Sequence, residues 1–235
     1  MTALDPGTWA RGRGVWAALA GADVFPESGA RVVVNAESQI CPPDWCGVVA
    51  LGDGVLATTP DEARRGRLVE QCNDLGPADD WAIAFADVAE VRGPARLAYI
   101  DLRVFPDEDE PPFTEVLRVG DDAVAAFVAG VPAADRDEAG LEGCTSPLAC
   151  VRHDGAIVAA AGYRIWREEL AHMSVLVAPD HRGAGLATTV ARDMTRSALE
   201  HGLIPQWRAR PAASQAVARK IGYVDVGQQI SIKLP

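Results

Sequence analysis

Between residues 170 and 202, an apolar run, a loop of small residues and an amphipathic stretch follow one another, and this order constrains the fold most. The run LAHMSVLVA has the length and composition of a buried strand. Pro179 and the sequence RGAG at 182–185 then interrupt the regular pattern. Over residues 186–200 apolar side chains recur at helical spacing, and Gly202 is placed to end a helix. The segment predicts a strand, a glycine loop and a helix packed on a sheet.

The glycine loop favours an anionic ligand. Glycines let a backbone come close to a ligand, and the first N–H groups of a helix lack partners within the helix. A P-loop would need Gly-Lys-Ser/Thr after four intervening residues, which this loop lacks. A dinucleotide fingerprint should open a βαβ unit, whereas this loop comes late in a region of antiparallel pattern. The sequence therefore predicts a site for a different phosphate-bearing ligand.

Further strands and helices are predicted on both sides of the loop. Asp154-Gly155 lies between two apolar runs and predicts a tight hairpin. The other predicted elements of the second half are strands at EVLRV, IPQWRAR and YVDVGQQISIKL and helices at DDAVAAFVAGV and ASQAVARKIG.

A break in composition at residues 103–116 divides the chain. This segment, RVFPDEDEPPFTEV, is rich in acidic residues and prolines and suits neither a helix nor a central strand. We expect two α/β domains, at 1–112 and 113–235. In the first, helices are predicted at TWARGRGVWAALAG and TPDEARRGRLVEQCND and strands at ARVVVNA, CGVVALGDGVLAT, WAIAF and ARLAYIDL. No catalytic signature is found in that domain.

Net charge and composition indicate which classes of partner, compartment and metal site to expect. The 235-residue chain has a net charge of −11, which disfavours a nucleic-acid partner. An acidic surface suits cationic substrates such as amines, although solubility alone explains it equally well. No apolar run approaches the ~20 residues of a membrane span and no secretory signal begins the chain, so we expect a cytoplasmic protein without a membrane partner. The five cysteines form no metal-binding pattern, so we expect reduced thiols and no metal, with a disulfide or half a zinc site at Cys41 and Cys46 as the alternative.

Residues 182–187, RGAGLA, fill every position of the pattern Arg/Gln-x-x-Gly-x-Gly/Ala. With the strand before it and the helix after it, this segment resembles motif A of the GNAT superfamily of N-acetyltransferases. The tail WRARPAASQAVARKIGYV is similar to the family's C-terminal segment, in which a small-residue helix leads to a glycine-aromatic pair. The resemblance covers residues 115–235 and implies an α/β fold with a mixed, mostly antiparallel sheet flanked by helices. Element order alone suggests that the first domain is a degenerate copy in a tandem arrangement.

The resemblance implies acetyl-CoA as co-substrate. Loop N–H groups can hydrogen-bond the pyrophosphate, and a strand edge can pair with the two amides of pantetheine. In the family, that pairing holds the thioester where two neighbouring strands separate. The coenzyme-binding residues implied here are Val175, Leu176, Val177, Arg182, Gly183, Ala184, Gly185, Leu186, Ala187, Thr188 and Ser214.

The proton acceptor has three candidates. An amine must lose a proton before it attacks a thioester, and the family's usual base is a His or Glu on the strand that enters motif A. His172, Glu169 and Glu168 lie there. Tyr163 and Trp166 are candidates for lining the acceptor side.

Two positions depart from the family pattern. Pro211 stands where the family often has an Asn, so that one contact to coenzyme A is lost or moves to Ser214. Ala218 stands where many members have a Tyr that acts as general acid for the departing thiolate. These departures keep a non-catalytic acyl-CoA-binding or sensing module open as an alternative.

We expect an acyltransferase that moves an acetyl group from acetyl-CoA to a primary amine by direct attack in a ternary complex. The cysteines lie outside motif A, which disfavours a covalent acetyl-enzyme. The acceptor is a small-molecule or peptide amine whose identity the sequence leaves open. The length of the acyl chain and the oligomeric state are open as well.

Overall fold

The computed structural model describes residues 4–73, 75, 81–85, 88, 90–106 and 114–234. The chain forms two compact units, each with mostly antiparallel strands flanked by helices. This mixed α/β architecture confirms the predicted fold class. The C-terminal unit consists mainly of Tyr99–Trp207 and Ala216–Val224, and the N-terminal unit of Asp5–Ala98, Arg208–Gln215 and Asp225–Pro235.

Helices and strands follow one another along the described chain. Its first half contains α1 (Pro6–Ala20), β1 (Ser28–Val34), β2 (Cys46–Leu51), β3 (Asp53–Thr59), α2 (Glu62–Asn73), α3 (Trp81–Ala84) and β4 (Glu90–Tyr99). Its second half contains β5 (Glu115–Leu117), α4 (Asp122–Ala129), α5 (Ala133–Ala139), β6 (Leu148–His153), β7 (Ala156–Trp166), β8 (Leu170–Val177), α6 (Leu186–Glu200), β9 (Ile204–Ala209), α7 (Ala212–Ile221) and β10 (Val224–Lys233).

The strands of the C-terminal unit follow the order β9-β8-β7-β6-β5. Neighbours from β5 to β8 are antiparallel, whereas β9 runs parallel to β8. Asp154 and Gly155 form the predicted hairpin between β6 and β7, with φ of 50° and 83°, the left-handed values that a type I′ turn requires. A core of buried side chains that includes Val124 and Phe127 of α4 packs against this sheet.

Helix α6 fixes the position of the glycine loop. Val190, Ala191, Met194 and Ala198 are buried, and α6 packs on β6, β7 and β8. These four residues belong to the stripe predicted from helical spacing. Because burial of each large apolar side chain contributes roughly 1.5–3 kcal/mol, packing holds the first turn of α6 firmly beside the end of β8.

The strands of the N-terminal unit follow the order β1-β3-β2-β10-β4. β2 is antiparallel to β3 and to β10, and β1 is parallel to β3. The β2–β10 ladder runs from Cys46↔Ile232 to Leu51↔Gly227. The last strand of the chain therefore completes the sheet of the first unit, a long-range pairing that no local pattern predicts.

Two predictions for the first half were wrong. The run WAIAF, predicted as a strand, contains the short helix α3, whose Trp81 and the following Phe85 are buried edge to face with ring centroids 6.4 Å apart. Residues four apart share one helical face, and a five-residue apolar run cannot show whether it is a strand or a helix. The run CGVVALGDGVLAT, predicted as one strand, breaks at Gly52 into the antiparallel pair β2 and β3, and Gly52 has a φ of 58°.

The predicted boundary at 112/113 stays a prediction. Residues 107–113, the central part of the predicted linker, lie outside the described residues.

Candidate functional site

The loop before α6 has open space in front of its backbone. Gly183 and Gly185 have φ of 82° and 83°, and a Cβ added at either would meet no atom within 4 Å. No side chain caps the N-terminus of α6, where Gly185 is the cap residue. The first N–H groups of a helix have no partner within it, so this end presents donors and a partial positive charge. Anions bind at such ends.

The exposure of the loop agrees with this reading. Gly183, Ala184 and Gly185 are exposed, and the next residues of α6, from Leu186 to Thr188, are half-buried. Thr188 N–H already donates to the Gly185 carbonyl over 2.9 Å as the first turn begins. The predicted phosphate-binding residues of the loop are therefore brought together on one accessible surface.

Arg182 anchors the loop. Its Nη2 donates to Asp135 Oδ2 on α5 over 2.8 Å, and its Nε donates to the Val177 carbonyl over 3.4 Å. The guanidinium thus holds the loop against the end of β8. The partner Asp135 is 47 residues away in sequence, and no sequence signal identified it.

Strand β8 separates from β9 beside this loop. Three residue pairs connect β8 with β9, from Leu170↔Ile204 to His172↔Gln206. The ladder between β8 and β7 continues to Val177↔Ala159. From residue 173 onward, β8 therefore has one edge outside the β8–β9 ladder.

The alternation of hydrogen bonds shows which backbone groups face that edge. Ala178 N–H donates to the Val158 carbonyl over 2.9 Å, on the β7 side, whereas the Glu169 carbonyl accepts from Ile204 N–H over 2.8 Å, on the β9 side. Because hydrogen-bonding direction alternates along a strand, the N–H and C=O groups of Val175 and the N–H of Val177 point toward the open edge, and the Val177 carbonyl accepts from Arg182 Nε. Leu176 instead contributes its side chain to the core with α4.

His172 is held at the point where the strands separate. Its ring stacks on Trp166 with centroids 4.4 Å apart and an interplanar angle of 19°. Its Nδ1 lies 3.2 Å from Nε2 of Gln206, the residue opposite it in the ladder. Trp166 was a predicted acceptor-side residue, whereas Gln206 was not singled out. The other predicted acceptor-side residue, Tyr163, is buried and alternates onto the opposite face of β7 from Trp166.

Glu168 and Glu169 lie in the turn between β7 and β8. Arg167 and Glu168 have φ of 51° and 61°, and Glu169 N–H donates to the Trp166 carbonyl over 3.1 Å. Two left-handed residues in succession form a type I′ turn, here without glycine or asparagine. Glu168 is exposed at the turn and Glu169 is half-buried. His172 is thus the candidate that lies on the β8–β9 ladder itself.

Tyr223 does not replace the tyrosine that is absent at position 218. Its hydroxyl lies 2.8 Å from Thr195 Oγ1 on α6, and its ring packs edge to face with Trp207. Burial raises the pKa of the Tyr223 phenol far above its usual range, although the hydrogen bond with Thr195 lowers it. Ala218 is buried. Tyr223 therefore serves packing.

A thiol lies on the His172 side of the sheet. The Sγ of Cys144 would lie 3.1 Å from a Cβ added at Gly162 of β7. Burial raises the pKa of Cys144 from its ordinary value of 9.0 to about 11, although its hydrogen bond with Ser174 of β8 lowers it. The neutral thiol is a weak nucleophile at physiological pH.

In the described residues of the N-terminal unit, the corresponding helix α2 has a capped start and the corresponding strand β3 has no unpaired edge. The start of α2 is occupied by the carboxylate of Asp61, whose Oδ1 accepts from Arg64 N–H over 3.0 Å. The β1–β3 ladder is continuous over seven pairs, from Ser28↔Asp53 to Val34↔Thr59. An acidic cap repels a phosphate, and a strand paired along its full length offers no edge there to a ligand.

Ser214 lies on α7 in Arg208–Gln215, the segment that groups with the N-terminal unit, and its coenzyme contact stays a prediction. All five cysteines carry free thiols. In the described part of the chain, no group of three or more His, Cys, Asp or Glu side chains is placed to hold a metal ion. Among the described helices, none has the length and apolarity needed to cross a bilayer.

Part of this chain is similar to a known protein family. Residues 149–229 match the family model described as GNAT acetyltransferase. A solved structure described as an acetyltransferase of the GNAT family, from Novosphingobium aromaticivorans, is 24% identical with a TM-score of 0.50. That match covers 62% of this chain and 65% of the other, so this chain spans less than two thirds of that protein's length.

Two further solved structures match over more of the chain. A GCN5-related N-acetyltransferase-like protein from Streptococcus suis is 19% identical, with a TM-score of 0.49, over 85% of this chain and 86% of its own. A tandem GNAT protein from the clavulanic acid biosynthesis pathway is 17% identical, with a TM-score of 0.47, over 100% of this chain and 98% of its own. No curated protein matches this chain in sequence.

Proposed function

We propose that this chain, whose residues 149–229 match the GNAT acetyltransferase family model, transfers an acetyl group from acetyl-CoA to a primary amine. The family and the fold indicate an acetyltransferase, and the family uses acetyl-CoA as co-substrate. The amine acceptor, the ternary-complex mechanism and the residues that carry them are the proposed part.

One observation carries the proposal: the open edge of β8 leads directly into the uncapped N-terminus of α6. A ligand that enters this site meets amide-pairing groups at Val175 and Val177, then phosphate-binding groups from Gly183 to Gly185. Coenzyme A carries amides in its pantetheine arm and a pyrophosphate beyond it, in that order. The open space in front of both glycines leaves room for the pyrophosphate.

In the proposed reaction, the amine nitrogen attacks the thioester carbonyl carbon. The new C–N bond forms, the C–S bond breaks, and its electron pair leaves on the coenzyme A sulfur. His172, held beside the separating strands, takes the proton that the amine loses. Because Ala218 cannot supply a proton, the thiolate takes one from solvent.

The acceptor class follows from the same chemistry. GNAT acetyltransferases act on small-molecule or peptide amines. The net charge of −11 favours the approach of a cationic amine. We place the reaction in the cytoplasm, without a nucleic-acid or membrane partner.

Two features support the second candidate, a non-catalytic acyl-CoA-binding module. Ala218 cannot protonate the thiolate, and Tyr223 is engaged with Thr195. Such a module would bind acetyl-CoA through the same loop without turning it over.

The decisive experiment measures binding and turnover on one preparation. Calorimetric titration with acetyl-CoA tests the coenzyme site, and release of free thiol in the presence of primary amines tests transfer. The panel contains a polyamine, an aromatic amine, an aminoglycoside and a lysine-containing peptide. Binding of acetyl-CoA with thiol release supports the transferase, and binding without thiol release with any amine supports the binding module. Absence of acetyl-CoA binding would contradict both proposals.

We further propose that the N-terminal unit is the degenerate copy of a tandem arrangement. β3 is antiparallel to β2 and parallel to β1, the same pairing that β8 makes with β7 and β9. The Asp61 cap and the unbroken β1–β3 ladder explain why such a copy would not bind the coenzyme.

A further inference from the structure

The side chain of Gln206 contains a buried polar atom without a partner. Gln206 is fully buried, and its Oε1 makes no hydrogen bond to any residue in the described part of the chain. The nitrogen of the same amide, Nε2, lies 3.2 Å from His172 Nδ1. A buried amide with one polar atom that makes no hydrogen bond lowers the stability of the fold, so the presence of glutamine at this position needs an explanation.

The backbone fixes this amide beside the ring. Gln206 and His172 form the last pair of the β8–β9 ladder, so their side chains project from adjacent strands at the same level. Trp166 stacks on the imidazole at 4.4 Å and limits its tilt. The ring is therefore held on its face by an indole and at Nδ1 by an amide.

The two ends of the amide have opposite effects on the ring. With the amide nitrogen at Nδ1, as in the structure, Nδ1 must accept a hydrogen bond, and the neutral ring carries its proton on Nε2. With the amide oxygen at Nδ1, the ring donates from Nδ1–H, and Nε2 carries the lone pair. A half-turn of the amide exchanges the two arrangements, and the one in the structure leaves Oε1 without a partner.

We propose that Gln206 is the positioning residue that decides which nitrogen of His172 carries the proton, an inference that rests on the proposed function. When the amide is turned so that Oε1 of Gln206 faces Nδ1 of His172, the ring nitrogen Nε2 takes the proton from the attacking amine. The resulting imidazolium donates from Nδ1–H to Oε1, a charge-assisted hydrogen bond. The oxygen that lacks a partner in the resting arrangement is thus the acceptor needed once the ring is protonated.

Three substitutions, combined into four variants, test the proposal in the full-length protein. Gln206→Met keeps the length of the side chain and removes both hydrogen-bonding ends. Gln206→Glu keeps only acceptor oxygens, which can hold Nδ1–H and cannot donate to Nδ1. His172→Ala, alone and combined with Gln206→Met, shows whether the two residues act together.

The probe is an amine of the panel that the wild type acetylates. With it, Gln206→Met should lower kcat about tenfold through loss of one hydrogen bond, and the KM for acetyl-CoA should be unchanged. Gln206→Glu should restore most of kcat. In the His172→Ala background, Gln206→Met should have little further effect. Loss of stability alone would instead affect the Met and Glu variants alike and would add to the His172→Ala loss.

A second readout does not depend on turnover. Nitrogen-15 NMR distinguishes a protonated ring nitrogen from one with a lone pair, and the chain has four histidines, so the His172 signals can be assigned with His172→Ala. Neutral His172 should carry its proton on Nε2 in the resting wild type, where the amide nitrogen faces Nδ1, and on Nδ1 in Gln206→Glu, with Gln206→Met between them.

Identical His172 signals in all three proteins would overturn the inference, as would equal losses of kcat in Gln206→Met and Gln206→Glu. If the wild type binds acetyl-CoA but releases no thiol with any amine, the proposed reaction fails. In that case the NMR result alone decides whether Gln206 sets the protonation of His172.

Discussion

At the scale of single residues, the imidazole of His172 is restrained on two sides. Trp166 covers one face of its ring, and Gln206 contacts Nδ1. Restraint of this kind reduces the entropy lost when a base has to meet its substrate in one orientation. The role of His172 as proton acceptor is testable because its neighbours can be left intact.

His172→Ala should lower turnover by roughly 10²- to 10⁴-fold, the usual contribution of a general base, and leave the affinity for acetyl-CoA unchanged. Thiol release and calorimetry measure the two effects separately. His153→Ala is the matched control, because that side chain is 64% exposed at the end of β6. Unaltered turnover in His172→Ala would move the proton acceptor to Glu168 or Glu169.

Cys144 should be inert despite its place near the site. Because its pKa is raised from 9.0 to about 11, iodoacetamide should label it about 100-fold more slowly at pH 8 than an ordinary thiol. Cys144→Ser should keep turnover. Mass spectrometry of the labelled peptide measures the rate, with unfolded protein as control.

The raised pKa of Cys144 makes the stability of the fold depend on pH. The buried neutral thiol contributes its full stability below pH 9.0, and that contribution is lost as pH rises toward about 11.

The labelling experiment has an outcome that would contradict an inert Cys144. Fast labelling at pH 7 together with loss of turnover on labelling would indicate an acetyl-enzyme through Cys144.

At the scale of elements, the two helices that follow strands β3 and β8 differ at their first turn. Asp61 caps α2 with a carboxylate, whereas Gly185 begins α6 without a side-chain cap. A capped helix is more stable by about 1 kcal/mol, so an uncapped end gives up local stability. The open end of α6 is what a bound anion would stabilise in place of a cap.

Gly185→Glu should abolish binding of acetyl-CoA, because the side chain fills the open space and its charge repels the pyrophosphate. Gly155→Glu is a matched control: Gly155 also has a φ of 83° and no atom within 4 Å of an added Cβ. Both variants pay the same backbone penalty, so calorimetry isolates the effect of the site. Equal affinity in the two variants would show that the loop does not bind the coenzyme.

Local chemistry explains which elements could be predicted from the sequence. The hairpin at Asp154-Gly155 was predicted because that dipeptide itself adopts the left-handed values. The turn between β7 and β8 was not predicted, because Arg167 and Glu168 have no intrinsic preference for the positive φ that they adopt. Their conformation depends on the β7–β8 ladder on both sides of the turn. The loop before α6 was found from its glycines, which favour the positive φ that Gly183 and Gly185 adopt.

Contacts between residues distant in sequence could not be predicted. Gln206 and His172 are 34 residues apart, and their contact depends on β9 pairing with β8 in one register. The pairing of β10 with β2 joins residues about 180 positions apart. Periodicity reports which face of an element is buried, not which element covers it.

At the scale of the whole molecule, the sheet of the N-terminal unit requires the end of the chain. Six residue pairs join β2 to β10, and Ile230 and Ile232 of β10 are buried in the same core as Val48 and Ala50 of β2. A cut near residue 112 would separate these two strands into different fragments.

We therefore expect residues 113–235 alone to aggregate, and co-expression with residues 1–112 to give a soluble complex that binds acetyl-CoA. An unpaired apolar strand such as β10 promotes association in the separated fragment. Size-exclusion chromatography and calorimetry measure the two outcomes. A soluble, monomeric fragment 113–235 with full affinity for acetyl-CoA would show that β10 does not need β2.

The β2–β10 ladder also constrains how the protein can be made. The partner of β2 emerges from the ribosome about 180 residues after β2 itself, which takes roughly 10–40 s at typical rates of synthesis. During that interval the β10-facing edge of β2 lacks its native partner, and all six residues of β2 end up buried in the finished fold. The N-terminal unit is thus completed only after the strands of the C-terminal unit have been synthesised, and in the cell its yield depends on how long β2 of one nascent chain avoids pairing with another chain.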